Sequence, residues 1–183
     1  MEYRETVSLK DGRTCLLCNG TADDAQKLID IFMLTHSETD FLLTYPDEKV
    51  LVAEEEARYL EERTASPREI EMLAEVDGAV VGSAGISAID AGKEKVRHRA
   101  EFGISVAKEY WGLGIGRALM RACIACAKRA GYSQLELDVV SDNVAAIKLY
   151  RSEGFAEWGR NPRGFRNRSG AWQELVLMRL ELD

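Results

Sequence analysis

A glycine-rich stretch in the middle of the chain, residues 111–117 (WGLGIGR), has the composition of a phosphate-binding turn. It holds three glycines in five residues and leads into a strongly helical run. Glycine lets backbone N–H groups approach a ligand without an intervening Cβ, and the N–H groups at a helix start are unpaired and carry the positive end of the helix dipole. Arg117 and Arg121 follow one turn apart, where a cation is unfavourable unless an anion meets it. The stretch predicts a phosphate-bearing ligand.

A second group of polar residues lies in residues 141–155 (SDNVAAIKLYRSEGF), directly after a predicted strand. Asn143, Ala146 or Ile147, and Tyr150 share one face of a helix by their spacing. That face can direct an amide and a phenol toward the same ligand. The alternative is that Tyr150 packs in the core with its hydroxyl satisfied locally.

Two other nucleotide-binding folds also contain glycine-rich stretches. A dinucleotide-binding fold expects an acid some 20 residues on, and Glu136 or Asp138 roughly fits. However, the motif is GxGxG rather than GxGxxG, and it follows predicted antiparallel strands with little α/β alternation after it. A P-loop is excluded because no Lys-Ser/Thr pair follows the glycines. A strand-to-helix turn without any ligand also stays open.

The spacing of apolar residues predicts a mixed α/β fold with the glycine-rich stretch between a strand and a helix. A hairpin around Asp11-Gly12 is expected first. Further strands are predicted at 69–76, 79–89 and 96–106 as an antiparallel meander, and at 135–140, 155–158 and 171–182.

Four helices are predicted from caps and periodicity. The first follows a capping box of Thr21 and Asp24 and ends near His36. The others are expected from Asp47 through Glu62, from the glycine-rich stretch to Gly131, and from Ser141 as N-cap to Glu153.

Two loops are predicted beside these elements. Residues 37–46 (SETDFLLTYP) supply Phe41, Leu42 and Tyr45 as candidate pocket walls. Residues 160–170 hold four arginines, either as a solvated basic loop or as a site for a phosphate or a carboxylate.

Composition and charge limit the function classes. With 183 residues, 46% hydrophobic and 30% charged, residues 1–183 are expected to form a single domain. The net charge of −7 argues against nucleic acid as a partner and is compatible with a cationic small substrate. No apolar run is long enough to span a membrane and no signal-peptide pattern is present, so we expect a cytoplasmic monomer or homodimer without membrane partners.

The four cysteines form two CxxC pairs, Cys15/Cys18 and Cys123/Cys126. The first pair lies in a strand-like run, where residues three apart face opposite sides, and the second lies on the apolar side of a helix. With only two histidines in the chain, this pattern predicts buried reduced thiols and no metal site.

The glycine-rich stretch and the later helix together resemble the GCN5-related N-acetyltransferase (GNAT) family. That family's cofactor loop, Gln/Arg-x-x-Gly-x-Gly/Ala, is matched by residues 111–116 except that Trp111 replaces the leading polar residue. Its next motif is matched by Asn143, Ala146, Leu149, Tyr150, Gly154 and Phe155. The resemblance implies a mixed, mostly antiparallel sheet with a splayed strand pair, flanked by helices, over almost the whole chain.

The resemblance also implies residue roles around acetyl-CoA. Backbone amides in one run would hold its pyrophosphate: Gly112, Leu113, Gly114, Ile115, Gly116, Arg117 and Ala118. Ile104, Ser105 and Val106 would pair with pantetheine, and Asn143, Ala146 and Tyr150 would contact the cofactor from the later helix.

For catalysis, the resemblance implies that Tyr150 protonates the departing thiolate. The base is expected to be Glu101, which alternation places on the same side of its strand as Gly103 and Ser105. A water chain, His98 or Asp138 are alternatives, and Glu101 could instead be solvated or salt-bridged. The N–H of Val106 is the candidate oxyanion donor.

The sequence thus predicts direct acetyl transfer from acetyl-CoA to a primary amine of a small molecule, amino-acid-like or other, or of a protein. Two alternatives stay open. One is a nucleotide-binding oxidoreductase, and the other is a non-catalytic acyl-CoA-binding or sensor domain.

Overall fold

The computed structural model describes residues 1–48 and 50–182. In these residues the strands are β1 (Arg4–Ser8), β2 (Thr14–Asn19), β3 (Ile70–Val76), β4 (Ala79–Ala88), β5 (Arg99–Val106), β6 (Gln134–Val140), β7 (Ala156–Arg166) and β8 (Trp172–Glu181). The helices are α1 (Ala25–Glu38), α2 (Ala53–Ala65), α3 (Ile115–Arg129) and α4 (Val144–Ser152). The predicted hairpin and meander are confirmed, with ends shifted by a few residues.

The described strands form one sheet in the order β1-β2-β3-β4-β5-β6-β8-β7. Every neighbouring pair is antiparallel except β5 and β6, which run parallel. The β5–β6 ladder joins only residues 99–101 to residues 134–136, although both strands continue beyond it. The two strands therefore splay apart after Glu101, which confirms the predicted mixed sheet with a splayed strand pair.

Helices cover both faces of the sheet. The apolar side chains of β3 alternate between two clusters, one on each face. Met72 and Ala74 pack in the larger cluster with α3, whereas Leu73 packs in a second cluster with Leu28 of α1 and Leu60 of α2. Each fully buried leucine contributes about 1.5–3 kcal/mol relative to exposure. No helix in the described part of the chain has both the length and the apolar character needed to cross a bilayer.

The turn that starts α3 depends on glycine backbone conformation. Gly112 and Gly114 have φ of 78° and 104°, in the left-handed region that side chains disfavour. A Cβ at either glycine would meet no atom within 4 Å, so the backbone dihedrals and not crowding require glycine. Gly114 is the N-cap of α3, as a strand-to-helix turn requires.

The predicted start of the second helix at Asp47 is wrong. The helix begins at Ala53 with Val52 as its N-cap, and three glutamates in its first turn suit the helix dipole. The Asp47 carboxylate instead pairs with the guanidinium of Arg168, so it is not available as a cap. Position 49 of the predicted helix lies outside the described residues.

Two further boundaries differ from the sequence prediction. The N-cap of α4 is Asn143 and not Ser141, because the Asn143 side-chain oxygen accepts a hydrogen bond from the Ala146 N–H at 3.2 Å. The predicted 160–170 loop is mostly strand, since β7 continues to Arg166. Irregular register between Asn161 and Phe165 accommodates Pro162, which an edge strand tolerates.

Candidate active site

The start of α3 presents unpaired backbone donors. Its first helical bond runs from the Ala118 N–H to the Gly114 carbonyl at 3.1 Å. The amides of Ile115, Gly116 and Arg117 precede that bond and have no intrahelical acceptor. These donors and the helix dipole suit an anion. Ala118 was predicted to share this role, but its N–H is already engaged in the helix.

The arginines of α3 meet an anion supplied by the chain itself. Arg117 Nη1 lies 3.1 Å from Glu153 Oε1, and Arg121 Nε lies 2.7 Å from Glu153 Oε2. Arg117 also donates to the Ser152 hydroxyl at 3.1 Å. The Glu153 side chain is only 8% exposed. The arginine pair therefore has an internal explanation, and Glu153 was missed because its partners lie far away in the sequence.

Trp111, which departs from the family motif, ties the glycine turn to the end of β5. Its indole N–H donates to the Val106 carbonyl at 2.6 Å. The next amide, that of Ala107, donates to the Val81 carbonyl at 2.9 Å. The turn thus has a fixed position relative to β5, the strand that leads into it.

The β5 edge that faces β6 is open beyond the short parallel ladder. Ile104, Ser105 and Val106 pair on their other side with β4 but have no partner on β6. This predicted pantetheine segment therefore has backbone groups available along one edge, as an extended ligand would need.

A cavity of about 350 Å³ lies beside β4 and β5 under α1. Its polar lining is His36, Glu71, Ser83, Ser87, Glu101 and Ser105, and its larger apolar side chains are Phe32, Leu42, Leu43, Phe102 and Ile104. Leu42 was predicted as a wall, whereas Phe41 and Tyr45 are not part of the lining. The cavity adjoins the unpaired part of β5.

Glu101 lines this cavity and is exposed. Its carboxylate has no hydrogen bond or ion pair with any other described residue. The salt-bridged alternative is therefore not observed. The reserve bases His98 and Asp138 are not part of the cavity lining.

Glu71 is a second carboxylate in the cavity, and the sequence analysis did not single it out. The Tyr59 hydroxyl donates to Glu71 Oε2 at 3.1 Å, and burial raises the pKa of Glu71. In the sequence it is one polar position in an alternating strand. The sequence feature that could have indicated it is Gly85, its partner in the β3–β4 ladder, because a glycine inside a strand often marks a close approach by another group.

His36 lines the same cavity from α1. Its Nδ1 lies 2.8 Å from the Phe32 carbonyl, which can only accept, so Nδ1 carries the proton and Nε2 is an acceptor. Burial lowers the pKa of His36, so its neutral form is favoured. Its ring stacks on Phe32 with centroids 3.7 Å apart.

Tyr150 lies at the base of the splay. It is 8% exposed, and its ring meets Phe102 edge-on with centroids 6.4 Å apart. Its hydroxyl has no hydrogen-bond partner in the described chain, and it is not one of the fully buried unpaired atoms. Burial raises the pKa of Tyr150 to about 12, so the phenol keeps its proton at neutral pH. A satisfied core hydroxyl, the alternative weighed from the sequence, is not observed.

A family model described as the acetyltransferase (GNAT) family matches residues 30–155. The chain belongs to the GNAT family. This match contains both motifs on which the sequence resemblance depended, and it confirms that resemblance. The oxidoreductase alternative is wrong, because a dinucleotide fold needs a largely parallel sheet and the described strands include one parallel pair.

Solved GNAT structures share the fold over nearly the whole chain. An acetyltransferase of the GNAT family from Streptococcus pneumoniae matches with a TM-score of 0.87 and 30% identity, over 91% of this chain and 99% of that chain. The Salmonella typhimurium protein yncA, in a structure with its cofactor acetyl-CoA, matches with a TM-score of 0.81 and 23% identity, over 91% of this chain and 93% of that chain.

Among curated relatives, the L-methionine sulfoximine/L-methionine sulfone acetyltransferase of Salmonella typhimurium is 32% identical over 87 residues. The match spans 48% of this chain and 50% of that enzyme. The chain therefore spans about half the length of that relative.

A contact between distant segments closes one side of this GNAT site. The Gln173 amide donates to the Asp40 carbonyl at 3.0 Å, and the Arg168 N–H donates to the Tyr45 hydroxyl at 3.1 Å. The Arg168 guanidinium also lies 4.0 Å from the Tyr45 ring centroid and pairs with Asp47. Residues 39–48 are thus held against the β7–β8 hairpin.

The other arginines of the 160–170 segment are also engaged within the chain. Arg160 pairs with Glu157 and Glu174, each at 2.6 Å, and Arg163 and Arg166 lie over the Trp172 ring. These contacts account for the basic run without a bound phosphate or carboxylate.

The cysteines offer this GNAT site neither a metal ligand set nor a thiolate. All four are free. Burial raises the pKa of Cys15 to about 11, and burial also raises the pKa of Cys123. Within residues 1–48 and 50–182, no group of three or more His, Cys, Asp or Glu side chains is placed to hold a metal ion. Cys15, Cys123 and Cys126 are buried packing groups, whereas Cys18 is half-buried.

Proposed function

We propose that this chain, as a single cytoplasmic domain, transfers acetyl from acetyl-CoA directly to a primary amine of a small molecule or peptide. One observation carries the proposal. The open edge of β5 connects the unpaired amides at the start of α3 to a cavity with a free carboxylate, Glu101. A long donor and a short acceptor can therefore meet at that strand in a ternary complex.

The cofactor is assigned to the residues along this edge. The amides of Gly112, Leu113, Gly114, Ile115, Gly116 and Arg117 would bind the pyrophosphate, with Ile104, Ser105 and Val106 along pantetheine. Asn143 and Ala146 would contact the cofactor arm from α4. The Asn143 oxygen is used in the helix cap, so its amide N–H₂ is the group available to the cofactor.

The proposed reaction needs two proton transfers, one from the acceptor ammonium and one to the departing thiolate. The acceptor ammonium must lose a proton before its nitrogen attacks the thioester carbon, and Glu101 is the assigned base. The Val106 N–H, suggested from the sequence as the oxyanion donor, is five residues along β5 from Glu101, about 16 Å by the rise of a strand, so it is too far away to serve a thioester beside Glu101. As the carbon–sulfur bond breaks, Tyr150 would donate its proton to the departing thiolate, and the amide product keeps the acetyl group.

The test has two parts. Calorimetry should show binding of acetyl-CoA and no binding of NAD. A panel of primary amines should then include at least one that causes free CoA thiol to appear in a chromogenic assay, with acetylated amine detected by mass spectrometry. Tight acetyl-CoA binding without thiol release for any amine would overturn the catalytic proposal in favour of a sensor.

A further inference from the structure

The cavity floor is organised by the registers of three strands. Glu71 of β3 pairs with Gly85 of β4, which in turn pairs with Gly103 of β5. Two residues along, Ser87 of β4 pairs with Glu101 of β5. Because side chains alternate along a strand, Glu71 and Glu101 project from the same face. Two carboxylates therefore border the same space.

The Glu71 carboxylate extends across β4 toward the reacting strand. A Cβ on Gly85 would lie 2.5 Å from Glu71 Oε2, so the carboxylate rests over that glycine. Gly85 and Glu101 are one strand and two residues apart, which corresponds to about 8 Å. One small molecule with two polar ends can thus contact both acids.

Neither carboxylate has a fixed counter-ion among the described residues. The positive charge of Arg63 acts to lower the pKa of Glu71, but Arg63 Nη1 pairs with Glu69 at 3.1 Å. Arg99, beside Glu101 on β5, pairs with Glu136 of β6 at 2.5 Å. Glu71 instead accepts from neutral donors, the hydroxyls of Ser83 and Tyr59.

Such a cavity is unfavourable for binding an acceptor that itself carries a carboxylate. A bound carboxylate needs cationic or N–H donors, and the charged side chains in the described cavity lining are both acids. A second ammonium, in contrast, would provide the counter-ion that Glu71 lacks.

Within the proposed acetyltransferase function, we propose that the acceptor is an aliphatic diamine without a carboxylate, with one ammonium bound by Glu71 and the reacting nitrogen beside Glu101. Apolar side chains of the lining, such as Phe32 and Leu42, contact the connecting methylene groups. Glu71 is then a specificity-determining residue. This choice differs from an amino-acid acceptor, where the α-carboxylate would face two acids.

Three commercially available amines isolate the two charges. 1,5-Diaminopentane differs from L-lysine only by the carboxylate, and 1-aminopentane lacks the second ammonium. We expect kcat/KM for the diamine to exceed the values for both others by at least about tenfold. Glu71→Gln should raise KM for the diamine about tenfold, change its kcat little, and leave 1-aminopentane nearly unaffected.

The matched control is Glu69→Gln, which changes the carboxylate just before β3 that pairs with Arg63 and does not line the cavity. It should preserve the diamine preference. Calorimetric titration of the three amines into the CoA-saturated protein tests the preference independently of turnover. Equal or tighter binding of L-lysine, or an unchanged diamine affinity in Glu71→Gln, would overturn the inference. Thiol release with L-lysine would then still support the proposed function.

Discussion

The carboxylate of Glu71 lies directly over Gly85, so that a Cβ on the glycine would stand 2.5 Å from Glu71 Oε2. The same Cβ would be 3.0 Å from the Ile70 carbonyl oxygen, which the β3–β4 ladder fixes. We expect Gly85→Ala to push the carboxylate away from Tyr59 and to lower the free energy of unfolding by about 1 kcal/mol, measured by urea denaturation. Gly103→Ala is the control, since its Cβ meets no atom within 4 Å. Equal losses in both variants would contradict the close contact.

Removing the Tyr150 hydroxyl tests the assigned acid. Because that hydroxyl has no partner in the described chain, Tyr150→Phe should fold normally and bind acetyl-CoA with unchanged affinity. We expect kcat to fall by about 10²-fold, measured by thiol release, because sulfur departs without a proton donor. Tyr132→Phe removes a fully buried hydroxyl that has no hydrogen-bond partner among the described residues, and it should leave kcat unchanged. An unaltered kcat in Tyr150→Phe would remove this residue from the mechanism.

The raised pKa of Tyr150 predicts the alkaline side of the rate profile. The protonated phenol is the active form, and it is lost only as pH rises through the folded-state pKa of about 12. An ordinary tyrosine, whose pKa in model peptides is about 10, would be half deprotonated at that pH. We therefore expect kcat at saturating amine to show no decline between about pH 8 and 10. A midpoint near pH 10 would place the hydroxyl in water rather than in the buried position described.

The left-handed Gly114 predicts a loss of cofactor affinity when it is replaced. Alanine at φ of 104° is strained, so we expect Gly114→Ala to lose about 1–2 kcal/mol of unfolding free energy. The strain would also misalign the amides of α3, and the calorimetric Kd for acetyl-CoA should rise about tenfold. Gly131→Ala imposes a similar strain at φ of 77° beyond the opposite end of α3, where a Cβ would also meet no atom within 4 Å. It should match the stability loss while the Kd stays constant, and a raised Kd there would count against the assignment.

The link between residues 39–48 and the β7–β8 hairpin predicts a change in acceptor binding. Arg168→Ala removes both the pairing with Asp47 and the contact over the Tyr45 ring. We expect KM for the amine to rise about two- to threefold with kcat unchanged, and added salt to reproduce part of the effect in the parent protein. Arg163→Ala, whose guanidinium lies over Trp172, should leave KM unaltered. No difference between the two variants would show that the link does not position the acceptor site.

Local signals predicted most of the architecture. The turn at Gly112 and Gly114, the capping box of Thr21 and Asp24, and the alternation in β3 to β5 are each encoded within a few residues. The family motifs added the splayed strands and the region of the cofactor. These features depend on short-range backbone geometry, which a single sequence can reveal.

The missed features are contacts between residues far apart in the chain. Glu153, at the end of α4, forms ion pairs with Arg117 and Arg121 of α3. Arg168 forms an ion pair with Asp47, which the sequence predicted as a helix cap. Glu71 occupies the cavity only because three strands align in one register. Such pairings depend on tertiary packing, and no local spacing indicates them.

Under the proposed cofactor arrangement, the early end of the β5–β6 ladder sets a minimum length for the acyl donor. From Phe102 to Val106 the open edge of β5 extends over about 13 Å, judged by the rise of a strand. A donor anchored by its phosphates at the start of α3 must cover that distance to bring its acyl carbon to Glu101. Acetyl phosphate, bound at the same amides, would hold its acetyl group near Val106, too far away to react. Under this proposal, the protein would select its donor by reach as well as by recognition of the nucleotide end.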